Sequence, residues 1–387
     1  MGQIVAAMAT VHAPQLFTRP PTEDPAQLDA DIAAMGQLGQ TIEDTHPDAV
    51  IVIGSDHLET FFLSSVPTFA IVAGERSRAS LANREYDLPI HQSFAEGLLD
   101  QLVRSDFDMT YSQDVVLGHS FAAVYEWIIE GRKIPVVPIF VNTYLPPLPS
   151  TRRCAALGRV LRDFIALRQE RVAIVASGGM SHYPGTWKYP QPVYDFDWWA
   201  IAHMERGNHE ALLSLTSEQL DEVGNTEMLP WMILFGAIGN QPGELLSYQP
   251  TWHHGHAVMR FIPGSGRAPG TPEPPANYAF QNAGGYQFYK HPDPSSYKLN
   301  KLLYDLRHEA NLRRRLFENT QAVAAEYGLN PKESAAVETI KDESIDMLRS
   351  LKPHPLVEGG AHPLGTLMSL VVVQAEARRM RRETIQR

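Results

Sequence analysis

Apolar residues in the first two thirds of the chain fall into two kinds of run. Short blocks rich in Val and Ile, bounded by Gly, Pro, Asp or Ser, occur at Gln3 to Val11, Ala49 to Gly54, Phe69 to Ala73, Ile134 to Val141 and Arg171 to Ala176. Continuous apolarity over so few residues is the pattern of strands buried on both faces. Between them, Leu28 to Asp44, His91 to Arg104, Phe121 to Glu130 and Thr151 to Gln169 carry helix formers at helical spacing. The alternation predicts an α/β fold in which a central, mostly parallel or mixed sheet is flanked by helices. Glu244 to Tyr248 and Ala257 to Ile262 are expected to close the sheet. Ligands of such a sheet gather beyond the carboxyl ends of its strands.

The texture changes at Pro263. Up to Pro294 the sequence is rich in Pro and Gly and poor in aliphatics, which predicts an arm or linker over residues 263–296. Tyr278, Phe280, Tyr286, Phe288 and Tyr289 have no reason to sit in a solvated spacer, so the arm is expected to pack along the main domain. From Tyr297 the pattern becomes helical and more basic, with a break at Asn330-Pro331, a second helix from Pro331 to Leu351 and an apolar stretch from Leu364 to Ala375. A small all-helical domain over 297–387 is the expectation, beside a main domain over 1–262.

A chain of 387 residues with 44% hydrophobic and 20% charged residues suits one large domain and a small one. No run reaches the roughly 18 apolar residues of a membrane span, and Met1 onward lacks the basic region and cleavage site of a signal peptide. Ala6 stands where myristoylation of Gly2 would want Ser or Thr. A cytoplasmic protein with no membrane partner is expected. The net charge of −11, without a basic run interleaved with aromatics ahead of the C-terminal helices, speaks against nucleic acid. The single cysteine, Cys154, excludes an internal disulfide and a cysteine-built zinc site. The 15 histidines are the feature to explain.

His12 follows the first predicted strand and His57 the second, so both fall at strand carboxyl ends, where side chains converge. His182 follows the strand at 171–176, behind Gly178 and Gly179, which let the backbone turn closely around a ligand. His119 opens the helix around Phe121, and Glu227 sits in a first helical turn after the break at Gly224-Asn225. Two imidazoles and one carboxylate make the facial triad that holds non-haem Fe(II) with positions open for substrate and O2. The same donors also build hydrolytic zinc sites, and spacing does not decide between them.

The segments His12-Ala-Pro, Ser55-Asp-His57, Gly118-His119-Ser, Gly178-Gly-Met-Ser-His182 and Gly224-Asn-Thr-Glu227 resemble, in order and separation, the motif set of class III extradiol ring-cleavage dioxygenases. The resemblance covers about residues 1–262 as the catalytic β-type domain. More loosely, through YKLNKLL from Tyr297 and the Glu358-Gly-Gly turn, the C-terminal part resembles the helical α-type subunit that gallate dioxygenase carries fused. It implies an oxidoreductase with His12, His57 and Glu227 as Fe(II) ligands, His182 as catalytic acid/base titrating near neutrality, and His119 hydrogen-bonding a substrate hydroxyl or bound oxygen. A diol bound through both oxygens must lose protons, which metal coordination and a nearby imidazole make possible. The implied partners are O2 and a small aromatic diol such as protocatechuate or gallate, with dihydroxypyridines such as 3-hydroxy-4-pyridone as the other group. A zinc hydrolase and a non-catalytic binding protein remain open on the same residues. The aromatic arm and the α-type part imply a homodimer or larger homo-oligomer, with the helical part as a lid.

Other residues carry plainer readings beside their functional ones. Ser181 and Tyr183 flank His182 and are candidates to touch substrate, as is His254 within Trp252-His-His-Gly-His256, although neighbouring strand residues point to opposite faces. Asp56 either orients an imidazole or caps the next helix. Arg313 to Arg315 read as a solvated helix face, Trp198 and Trp199 as core or interface, Cys154 as buried and inert. His354 and His362 either reach over the site or sit in turns.

Overall fold

A computed structural model describes residues 1–82, 84–261, 273–282, 284–341 and 350–385. Eleven strands appear among them: β1 (Gln3–Thr10), β2 (Ala49–Ser55), β3 (Phe69–Val72), β4 (Arg76–Leu81), β5 (Arg84–Pro89), β6 (Thr110–Ser112), β7 (Val116–Leu117), β8 (Val136–Val141), β9 (Arg171–Ser177), β10 (Gly243–Pro250) and β11 (Gly255–Phe261). Eight form one mixed sheet in the order β10-β11-β1-β9-β2-β8-β3-β6. Its centre, β1-β9-β2-β8, is parallel throughout, and β11 and β3 run antiparallel on either side. β2 and β8 are buried along their whole length, as their unbroken apolar sequences require. The smaller sheet β5-β4-β7 is absent from the sequence expectation, because Arg76–Leu81 alternates polar and buried residues instead of running apolar.

The flanking helices follow the predicted runs with shifted ends. Asp24 caps the Pro25–Thr45 helix by accepting from Ala26 N, with Pro25 at its first position. The helix expected over 121–130 begins at His119, runs to Val124 and widens into a π-turn over Tyr125–Ile129. Thr151–Ala166 and the wholly apolar Leu229–Ile238 pack so closely that a Cβ on Gly158 would strike the Ile233 carbonyl and one on Gly236 the Ala155 carbonyl. This contact fixes the helix that Glu227 precedes.

Two separate apolar cores result. The larger surrounds the sheet, with Met8, Val52, Ile139, Val175 and Phe235 among its members. The second lies in the C-terminal region and is built from Leu299, Leu302, Leu306, Leu316, Val337 and Leu370. Its helices are shorter than the sequence pattern implied: Tyr297–His308, Ala310–Glu318 and Thr320–Glu326 divide at Glu309 and at Asn319, whose side chain caps the next turn. The second predicted helix appears over Pro331–Glu338, and its expected continuation through 342–349 lies outside the described residues, as do Ile262 and the arm's first part through 272. The described part of the arm packs as expected. Tyr278, Phe280 and Tyr286 lie on the main core, and Trp199 and His203 both bond the Pro275 carbonyl. Tyr289 joins Tyr144 and Leu364 in a small apolar group that ties arm, sheet loop and C-terminal helix together. No helix among the described residues is long and apolar enough to cross a membrane.

Candidate metal centre

Four adjacent parallel strands end on one edge of the sheet, and the residue groups just beyond them meet. His12 follows β1, His57 follows β2, Tyr144 follows β8, and the Gly178–His182 loop follows β9. β11 runs antiparallel to β1, so its start brings His254 to the same edge, where His254 pairs with His182 in an isolated bridge. Glu227 enters from the Thr226–Met228 turn ahead of the Leu229–Ile238 helix.

Glu227 is the centre of the arrangement and fully buried. One oxygen, Oε2, accepts from Gly179 N at 2.6 Å and lies 3.2 Å from His12 Nε2 and 3.7 Å from His182 Nε2. The other, Oε1, lies 2.5 Å from His57 Nε2 and accepts from the Tyr144 hydroxyl at 2.8 Å. A Cβ on residue 179 would collide with the His254 imidazole, so the approach of this backbone to the carboxylate needs glycine.

Proton bookkeeping shows what the cluster lacks. Ser177 Oγ donates to the Ser120 carbonyl at 2.7 Å, which leaves it only lone pairs for His12 Nδ1 at 2.9 Å. His12 Nδ1 therefore donates to Ser177, which leaves Nε2, 3.2 Å from Glu227 Oε2, as its ligating atom. A buried imidazole nitrogen and carboxylate oxygen at that distance share a cation, either a proton on Nε2 or a metal ion. His182 Nδ1 donates to the Met180 carbonyl at 2.7 Å, and its Nε2 lies 3.0 Å from the Tyr144 hydroxyl, whose single proton serves either this nitrogen or Glu227 Oε1. His57 Nδ1 is buried without a hydrogen-bond partner. His12, His57 and His119 each bring a ligand atom within 4.8 Å of the others. Imidazole and carboxylate donors of this kind suit Fe(II) and Zn alike, so the donor set fits a divalent cation.

The imidazoles of His182 and His119 are shifted in opposite directions. Burial pushes His182 down to about 4, against the opposing pull of Glu227, so it is neutral at physiological pH and not poised near neutrality as the sequence alone implied. Burial also works against charge on His119, but Glu59 outweighs it and raises that imidazole above its ordinary value. Glu59 Oε2 accepts from His119 Nδ1 at 2.9 Å and from its backbone N at 3.0 Å. The carboxyl of Glu59, despite burial, is held down at about 2 by His119. Burial would raise Glu227, yet the imidazoles of His12, His182 and His57 keep it well below the usual carboxylate range. Burial keeps Tyr144 well above the ordinary phenol value, so it stays a donor.

Other sequence candidates take different places. The Ser181 hydroxyl donates to the Val223 carbonyl and accepts from Val193 N, and the Tyr183 hydroxyl donates to the Glu222 carbonyl and accepts from Lys188. Both are spent on the loop's own structure, which corrects their assignment to substrate. His254 stacks flat on His182 with centroids 3.8 Å apart, and its Nε2 is buried without a partner. His253 and His256 have separate carboxylates, Glu23 and Asp31. Asp56 caps the next turn through Thr60 N and Phe61 N. His354 caps the Pro355–Glu358 helix, whereas His362 bonds the Tyr144 carbonyl at 3.0 Å. Arg313 departs from the solvated-face expectation, bonding the Leu306 and Arg307 carbonyls at a helix end. Cys154 is buried, and burial pushes its thiol up. Tyr144 escaped the sequence argument, although its position beyond a buried strand is the signal that marked His12 and His57.

Imidazoles and a carboxylate gathered beyond the parallel strands of an open sheet have the construction of a mononuclear metal site. Residues 6–261 match the family described as the catalytic LigB subunit of aromatic ring-opening dioxygenase, and the chain belongs to that family of class III extradiol dioxygenases. A 2,3-dihydroxyphenylpropionate/2,3-dihydroxicinnamic acid 1,2-dioxygenase of Klebsiella pneumoniae (strain 342) is 30% identical over 164 residues, 42% of this chain and 52% of that protein. The protein of the same name from Escherichia coli (strain K12 / DH10B) matches to the same extent. The match thus spans about half the length of these curated relatives. The crystal structure of an uncharacterized protein from Escherichia coli K12 aligns with 66% of this chain and 99% of its own at 17% identity, with a TM-score of 0.47.

Proposed function

We propose that this chain is an Fe(II)-dependent extradiol dioxygenase that opens a small dihydroxylated aromatic ring with both atoms of O2. The observation that carries the proposal is the convergence of His12 Nε2 and His57 Nε2 on the buried Glu227 carboxylate, at 3.2 and 2.5 Å, with His12 Nδ1 committed to Ser177. His12, His57 and Glu227 would hold the iron, which when bound acidifies a coordinated diol and relays electron density from ring to oxygen. The family, and relatives named for cleavage of 2,3-dihydroxyphenylpropionate, support a catecholic substrate.

The chain's own groups divide the proton work. His182, neutral with Nε2 free of hydrogen, is set to accept a proton from the diol, and Tyr144 lies within hydrogen-bond distance of that nitrogen. His119, favoured in its protonated form by Glu59, is set to donate one, which is why it is assigned as the acid and not a ligand. Two neighbouring groups pushed apart in pKa are the usual basis of an acid/base pair. Buried Tyr289 of the arm and Leu364 of the Pro363–Ile385 helix pack behind Tyr144 and keep water from that side.

Anaerobic loading with ferrous iron followed by oxygen uptake tests the proposal, using 2,3-dihydroxyphenylpropionate, protocatechuate, gallate and a dihydroxypyridine. Stoichiometric uptake with at least one catechol, with a ring-opened chromophore, is the expected result. Bound iron with no uptake on any diol would overturn it.

A further inference from the structure

The C-terminal helices reach the loop that carries His57 at one place. Arg307, near the end of Tyr297–His308, donates through Nη1 to the His57 carbonyl at 3.3 Å and through Nη2 to the Leu58 carbonyl. The next residue, His308, bonds the Glu59 carbonyl through Nε2 at 3.2 Å. Two consecutive residues thus hold three consecutive carbonyls some 250 positions away in sequence. The Arg307 side chain is half-buried, and the charges of Glu59 and Asp56 oppose the cost of desolvating it. The Tyr304 ring lies 5.1 Å from it and packs in turn on Phe62 of the same loop.

What is being held is a strained turn. Leu58 has φ of +56°, in the left-handed region that disfavours an L-residue. No glycine relieves that cost; Asp56 restrains the turn from within, through Thr60 N and Phe61 N, and Arg307 and His308 restrain it from outside the loop. Leu58 is buried, with Gly365 of the Pro363–Ile385 helix beside its Cδ1. The peptide so restrained is the one that follows His57 and sets where its imidazole stands.

We propose that Arg307 is a positioning residue of the metal centre: it locks the left-handed turn at Leu58 and thereby aims His57 at Glu227, making the C-terminal helices part of the site's framework. The inference rests on His57 being a metal ligand. Arg307→Ala frees both carbonyls and lets Leu58 relax. Arg307→Lys keeps a charge but cannot span both acceptors in one plane. Leu58→Gly removes the strain itself, because glycine takes positive φ without cost.

The test is Co2+ titration of the full-length metal-free chain, read by the ligand-field absorption of the bound ion, with far-UV circular dichroism confirming the fold. Wild type is expected to bind one Co2+, Arg307→Ala to bind about 10–100-fold more weakly with an altered spectrum, and Arg307→Lys to fall between. Leu58→Gly added to Arg307→Ala is expected to recover most of the affinity, a rescue that loss of general packing would not permit. Should Arg307→Ala fail to fold, Arg307→Lys and its Leu58→Gly double variant carry the comparison. Arg307 variants that bind Co2+ with wild-type affinity and spectrum would sink the inference while leaving the metal reading intact, and so would a folded double variant without rescue. A wild-type chain that takes up no Co2+ overturns the metal reading, and this inference with it.

Discussion

Two groups of histidines lie side by side at the same sheet edge, and they have different electrostatic character. In the first, His12, His57 and His182 share one carboxylate, Glu227, and the His12 and His182 protons are committed outward to Ser177 and the Met180 carbonyl. In the second, His253 lies 3.3 Å from Glu23 and His256 Nδ1 2.8 Å from Asp31, one imidazole to one carboxylate. A one-to-one pair is completed by a single proton, whereas three imidazoles gathered around one carboxylate are not. Density of histidine in the sequence is greater in the second group. The ratio of imidazoles to carboxylates, together with where the ring protons go, is what singles out the first.

The sharpest way to break this contrast is to remove one carboxylate from each group. Glu227→Ala should abolish stoichiometric metal binding and bring turnover to background, while Asp31→Asn should leave the metal content measured by plasma emission unchanged. Equal metal loss in both variants would show that the second group belongs to the centre. Next in size is His182→Ala, expected to keep the metal and to lose about 10²- to 10⁴-fold in kcat as a general base is removed. An empty site in that variant would move His182 from base to ligand. Tyr144→Phe comes third. Losing one hydrogen bond to a charged carboxylate is worth about 1.5–3 kcal/mol, or roughly 10–150-fold in kcat, with metal retained and the pH profile displaced. An unaltered kcat and profile would remove Tyr144 from the site's chemistry.

Much of this contrast was legible along the chain, and for a physical reason. Buried parallel strands announce themselves as apolar blocks, and residues just past them must converge, so His12, His57 and the Gly178–His182 turn were readable from position alone. Tyr144 stands close beyond β8 in the same way but inside a proline-rich loop, where attention to imidazoles and carboxylates passed over a phenol. Protonation states were not legible. The downward push on His182 and the upward pull on His119 depend on burial and on Glu59, whose carboxylate meets His119 only in the fold. Arg307 was hidden more completely, because its acceptors are backbone carbonyls, which carry no sequence signal at all.

A third environment sharpens the comparison with a smaller effect. Asp197, in the Tyr194–Glu205 helix, is buried like Glu227 but has no imidazole; it accepts from Ser181 N, the Tyr248 hydroxyl and Asn225 Nδ2. Burial outweighs those bonds and pushes its carboxyl up to about 7, the opposite direction from Glu227. Between the ordinary value of 3.8 and about 7, the folded chain holds a proton here that the unfolded chain has released. The contribution to stability is therefore full below pH 4 and lost as pH rises through 7, with a slope of at most about 1.4 kcal/mol per pH unit. Asp197→Asn should remove that slope, since Asn225 has a buried Oδ1 without a partner and can turn its amide to receive the new donor. Urea midpoints at pH 5 and pH 8 measure the difference: the gap between them should change on substitution by the amount Asp197 contributes. An identical gap in both proteins would mean that Asp197 is already ionised at pH 5, and that three hydrogen bonds can do for a buried carboxylate what the imidazoles do for Glu227.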